Sequence, residues 1–364
     1  MSYNFQIGDR SDTLSLAHIF SQITKSMATF FAPYKSVYIV LGVVWAFAFS
    51  VSFYTGKNIV GGLQDLLQFV LSGMMITMMI FLLAVCCVYK FIQMVRFERP
   101  ESPLKELGLW LKQDVFTPAI IKDTLNIIVI LYLLSTSFGF LKSMIPVLVP
   151  FSWDQAFMEL DRFLFFGAHP WEVLQPFFGY PLITFLINVA YNLWMATLFA
   201  FFLLLIFLSK NHQLRLQYLM GTVLVWFIGG NLLATVLSSA GPCYFENIGL
   251  SSEPYAGLMA YLNHANELYP IWALQTQDLL WKTFSQPNSF SLISAMPSMH
   301  VATSVLFALL AWRLNVWFGW VMTGFAAIIF LGSIHLGWHY AVDGLLSLLI
   351  TFPLWSFSGY LVKK

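Results

Sequence analysis

Charge is what this sequence has least of. Of its 364 residues only 10% are Asp, Glu, Lys or Arg, against about 25% in soluble domains, which excludes a single soluble domain. The charges also nearly cancel, 18 basic against 17 acidic with a net charge of +1. No electrostatic excess is left to neutralise a nucleic-acid backbone, so nucleic acid is excluded as a partner. Of three cysteines, Cys86 and Cys87 are adjacent in an apolar run and Cys243 stands alone, a spacing that offers neither a disulfide framework nor a zinc knuckle. Internal repeats and low-complexity tracts are missing. No Asn-x-Ser/Thr sequon occurs, which favours a bacterial inner membrane. Asp9, Arg10 and Asp12 make the segment before the first apolar run too polar for a cleaved leader, so none is expected.

Apolar length is what the sequence has in quantity, at 59% hydrophobic residues. A bilayer core of about 30 Å needs runs of about 20 such residues. Eight candidates lie near 37–55, 66–89, 124–149, 181–208, 218–239, 298–314, 316–335 and 342–361. The expected fold is therefore all-α and polytopic, with about eight transmembrane helices. Lys and Arg are retained on the cytoplasmic side of short loops. With an inner amino terminus, only Lys57, Lys142, Arg162 and Lys282 of the 18 basic residues face outward, which predicts cytoplasmic termini.

Residues 1–36 are expected to carry an interfacial helix on the cytoplasmic side, because Leu16, Ile19, Phe20, Ile23, Met27 and Phe30 recur at helical steps. Residues 37–123 form a two-span addition followed by a Pro-containing charged inner loop. Residues 124–364 form a six-span core, with outer interfacial segments at 151–180 and 241–296. In the first of these, Trp153, Phe157, Leu160 and Leu164 alternate with Asp154, Glu159 and Asp161. Such segments serve as headgroup anchors or as a lid over substrate.

Two clusters carry chemistry. Ala295-Met296-Pro297-Ser298-Met299-His300 opens the sixth span, so Ser298 and His300 fall in or near a first turn whose free N–H groups favour an anion. Between the last two spans runs Ser333-Ile334-His335-Leu336-Gly337-Trp338-His339-Tyr340-Ala341-Val342-Asp343. If that segment is helical, His339 and Asp343 share a face, and the carboxylate orients one imidazole nitrogen while leaving the other as a nucleophile. Both clusters fall on the outer side, as does Gly241-Pro242-Cys243-Tyr244-Phe245 after the fifth span.

Pro297-Ser298-Met299-His300, followed about forty residues later by Gly337-Trp338-His339-Tyr340-Ala341-Val342-Asp343, resembles the second and third signature motifs of the type 2 phosphatidic acid phosphatase superfamily. The resemblance covers about 124–362. It implies a six-helix phosphatase-like core working without metal or cofactor, with His339 as nucleophile, Asp343 as its orienting partner and His300 as the acid for the leaving group. Ser298 and nearby amides would hold phosphate oxygens. The first motif is absent, since Arg99-Pro100 sits on the inner side behind Gln93, and the third-motif arginine is replaced by Ser333. In this the chain looks more like the sphingolipid head-group transferases of the inositol phosphorylceramide synthase type.

Ser333, His335, Tyr244, Arg162 and Lys142 join Ser298 as candidate phosphate-binding residues, and Lys282 is a further candidate cation. The expected partners are a lipid within the bilayer and a sugar, polyol or lipid alcohol as acceptor, with the site facing the periplasm. The expected reaction is head-group phosphotransfer through a phospho-histidine, with dephosphorylation of phosphatidic acid or polyprenyl pyrophosphate as the near alternative, and two other readings remain. His300, His335, His339 and Asp343 have the donor types of a zinc site. A transporter would use the same groups as a proton relay.

Overall fold

The computed structural model describes residues 16–59, 74–286 and 292–363. The expectations for residues 1–15, for 66–73 at the start of the second span and for 287–291 in the outer segment lie outside these. The chain divides into two units, 1–35 and 36–364. The smaller contains helix α1, Leu16–Phe31, and a short turn, Ala32–Tyr34.

The larger unit is built from helices, with no strand among the described residues. In chain order they are α2 (Lys35–Thr55), α3 (Met74–Gln93), α4 (Pro103–Trp110), α5 (Pro118–Leu148), α6 (Asp154–Leu164), α7 (Pro170–Phe178), α8 (Pro181–Phe207), α9 (His212–Val236), α10 (Glu253–Leu268), α11 (Trp272–Phe284), α12 (Met299–Leu314), α13 (Val316–His335) and α14 (Ala341–Lys363). Among the described residues six apolar stretches are long enough to cross a membrane: Thr24–Thr55, α5, α8, α9, α13 and α14. Helix is the form such stretches take, because hydrocarbon offers backbone N–H and C=O groups no partner outside their own segment. This is an all-α integral membrane protein.

The termini of these helices follow from local chemistry. Thr117 accepts from the Ile120 N–H to start α5, and Asn315 accepts from Trp317 and Phe318 at 2.8 and 3.2 Å to start α13. Proline occupies the first turn of α5, α7 and α8, where its missing N–H costs nothing. Residues 258–284, expected as one amphipathic stretch within 241–296, fall in two helices broken around Pro270.

Helix α12 is the shortest of the six helices expected as spans in 124–364. Its 16 residues rise about 24 Å, less than the about 30 Å of a hydrocarbon core. It sits in the bundle with Val301 to Leu306 buried, packed on α13 and α14. Close contact there depends on Gly344, since a Cβ would overlap the Phe330 ring. Helix α2 is tied to α5 by Trp45 Nε1 donating to the Leu133 carbonyl at 3.0 Å and the Tyr38 hydroxyl donating to Asn126 Oδ1 at 3.0 Å. The chain reverses at each end of the core helices. The carboxyl ends of α5, α9 and α13 therefore meet the amino ends of α8, α12 and α14 at one end of the bundle.

Candidate active site

His339 lies in the short connection between α13 and α14, and this loop is held at every residue. The Ser333 carbonyl accepts from the N–H groups of Trp338 and His339 at 2.9 and 3.1 Å, and the Gly337 carbonyl accepts from the Cys243 N–H at 2.9 Å. The Leu336 carbonyl accepts from Gln277 Nε2 at 2.9 Å. Gly241, at φ +107°, brings the 241–244 turn against this loop, where a Cβ would stand 2.7 Å from the Trp338 carbonyl oxygen. Only a residue without a side chain fits that approach.

Asp343 lies in the first turn of α14 and is fully buried. Its Oδ2 accepts from the Tyr340 N–H at 3.1 Å and stands 3.1 Å from His339 Nδ1. The four-residue spacing therefore works across a loop-to-helix junction, not along one helical face as expected, because α14 begins only at Ala341. Burial, with Lys142 adding to it, lowers the His339 imidazole to about 3. The ring is thus neutral near pH 7, and a carboxylate facing Nδ1 selects the tautomer with its proton there.

His300, in the first turn of α12, brings its ring centroid 6.4 Å from that of His339. Tyr191 stacks on His300 at 4.7 Å and Trp194 packs on it at 4.3 Å. Both histidines line a cavity of about 440 Å³ whose walls are largely aromatic and aliphatic. Lys142 and Tyr244 line it too, the Tyr244 hydroxyl donating to the Gln277 carbonyl at 3.0 Å. A π-helical stretch of α9, Val225–Leu233, adds Trp226 to the wall.

The other candidate phosphate ligands have different partners. The Ser298 hydroxyl caps α12 through the Val301 N–H, and that of Ser333 donates to the Phe330 carbonyl at 2.7 Å. His335 Nε2 pairs with Thr184 Oγ1 at 2.9 Å. It stands outside the cavity wall and does not join His339 and Asp343 in a ligand set. Arg162 donates from Nε to the Gly167 carbonyl, and Lys282 is exposed away from the cavity. Among the described residues no group of three or more His, Cys, Asp or Glu is placed to hold a metal.

The PAP2 superfamily model matches residues 155–356. The chain belongs to the PAP2 superfamily. Neither a curated protein nor a solved structure matches it. The PAP2 match begins in α6 and ends in α14, so it includes both histidine elements and leaves α2 and α3 outside. Members of this superfamily are generally phosphatases or phosphotransferases, so membership supports an enzyme acting on lipid phosphate.

Two carboxylates that the PAP2-like motifs do not contain secure the site. Asp154 accepts from the N–H groups of Ala240 (2.9 Å) and Gly241 (2.8 Å) and from the Tyr340 hydroxyl (2.8 Å). Asp161 accepts from the N–H groups of Ala341 and Val342, the opening of α14, at 2.8 and 2.9 Å. With Phe157 they form the buried face of α6, although the sequence pattern set them on its polar side. Their spacing, three and four residues either side of Phe157, was the available signal. Helix α6 is thus a clamp on the His339 loop.

Burial raises Asp161 to about 7, against the opposing pull of its two amide bonds. Between 3.8 and about 7 the folded chain holds a proton that the unfolded chain has released. This contribution to stability is full below 3.8 and is lost as pH rises through 7. Asp161→Asn is expected to flatten that dependence, read as the unfolding midpoint in detergent across the same interval.

Proposed function

We propose that this protein is an integral-membrane phosphotransferase that works on a lipid-linked phosphodiester through a phospho-histidine intermediate. The observation that carries the reading is the 6.4 Å separation of the His300 and His339 rings on one cavity wall, with Asp343 behind His339. His339 Nε2 attacks phosphorus, the phosphorus–oxygen bond to the leaving group breaks, and His300 protonates the departing alkoxide. An acceptor alcohol then gives its proton to His300 and attacks phosphorus, forming a new phosphorus–oxygen bond as the phosphorus–nitrogen bond breaks and frees His339. Water in place of the alcohol makes the same cycle a phosphatase.

Lys142 is the one cation lining the cavity among the described residues. A single positive charge matches the monoanion of a phosphodiester better than the dianion of a phosphomonoester. This supports the transferase branch over a phosphatidic acid or polyprenyl pyrophosphate phosphatase. We take residues 124–364 as the catalytic core, 37–123 as a two-span addition and 1–36 as a surface segment. The bias of basic residues supports cytoplasmic termini and a periplasmic site in a bacterial inner membrane.

Purified protein incubated with a lipid labelled in its phosphate is expected to acquire an acid-labile, base-stable phosphate and pass it to an added alcohol. Gradient-driven uptake with no phosphate transferred would instead mark a carrier. His300→Ala is expected to slow substrates with poor leaving groups most and activated aryl esters least; equal losses on both would remove its acid role.

A further inference from the structure

The cavity beside the two histidines has hydrogen-bond donors that nothing in the fold uses. Tyr191, Trp226 and Trp338 all line it, and the Tyr191 hydroxyl and both indole nitrogens are buried without a hydrogen-bond partner among the described residues. Buried polar atoms are nearly always paired, so three on one cavity call for a common explanation. No carboxylate of the described residues lines this cavity, and the Lys142 ammonium adds a positive charge to its wall. Three unused donors and one cation on a single cavity suit a ligand rich in acceptor oxygens.

Tyr191 is at the centre of this arrangement. Only 7% exposed, its ring stacks on His300 and lies within 7° of parallel to Trp338 at 6.4 Å. The ring planes fix where the hydroxyl and the neighbouring indole N–H can point.

We propose that the Tyr191 hydroxyl and the Trp338 indole N–H, with Trp226 and Lys142, hold the non-bridging phosphoryl oxygens during transfer. Neutral donors then do what guanidinium groups do elsewhere, at lower positive charge. This rests on His339 being the nucleophile.

The test uses the full chain in detergent with orthovanadate as the phosphoryl mimic and titration calorimetry as readout. Tyr191→Phe keeps the stacked ring and removes only the hydroxyl; Trp338→Phe removes the N–H. Each variant is expected to bind vanadate about 10- to 100-fold more weakly, the range for a hydrogen bond to a charged group, with the unfolding midpoint unchanged. Wild-type affinity in both variants would overturn the assignment, as would failure of the wild-type chain to bind vanadate. The two ideas fail separately. Full turnover in His339→Ala removes the nucleophile, whereas an intact His339 phosphate with unaltered vanadate affinity in Tyr191→Phe removes only the donor set.

Discussion

His339→Ala is expected to lower turnover by about 10⁴-fold or more, the order seen when a covalent nucleophile is deleted. No neighbouring group can substitute. His300 packs between Tyr191 and Trp194, and His335 faces Thr184 outside the cavity. The same substitution also removes one of the two partners of Asp343 Oδ2, leaving this fully buried side chain the Tyr340 N–H alone, so some destabilisation accompanies it. Two measurements keep chemistry and folding apart. His339→Gln retains a side chain able to donate to Asp343 and is expected to unfold near the wild-type midpoint while remaining inactive. Free imidazole added to His339→Ala is expected to restore part of the turnover. Activity in His339→Gln above a few per cent of wild type would contradict the nucleophile.

Asp343→Asn has the next largest expected effect, a loss of about 100-fold or more in turnover, by analogy with a carboxylate that sets the tautomer of a catalytic histidine. Oδ2 both accepts from the Tyr340 N–H and faces His339 Nδ1, so an amide oxygen at that position keeps both bonds and the opening of α14 but loses the negative charge that stabilises the ring as it becomes positive. In the flipped orientation the NH₂ group would face His339 Nδ1, give up the Tyr340 bond, and place the ring proton on Nε2, the attacking atom. The variant should therefore fold normally and form the phospho-histidine slowly. Near-normal turnover would refute the dyad.

The tautomer argument depends on the loop, and the loop was the part of the site least legible in the sequence. His300, His339 and Asp343 could be singled out because ionisable residues at span ends are costly to keep. Their motif spacing named them together. The expected helical face for His339 and Asp343 did not form, because Tyr340 enters α14 as a capping position and His339 stays in the loop. The outward cations were equivalent on paper. In the fold only Lys142 reaches the cavity, while Arg162 closes the end of its own helix. Asp154 and Asp161 read as solvent-facing acids until their partners, 186 and 180 residues away, are in place. No local pattern encodes a bond over that distance.

Apolar run lengths and the scarcity of charge determined that this chain is a bundle of membrane helices, since a backbone in hydrocarbon must satisfy its hydrogen bonds within each segment. Two short motifs determined which imidazoles and which carboxylate to examine. Tertiary structure decided which remaining polar groups surround them. It turned Ser298 to a helix cap, Ser333 to a carbonyl of its own helix and His335 to the Thr184 hydroxyl, set Tyr191 and Trp338 on the cavity wall, and made α6 a clamp. Those outcomes depend on where distant helix ends meet, and burial then rewards whichever donor and acceptor are brought within reach.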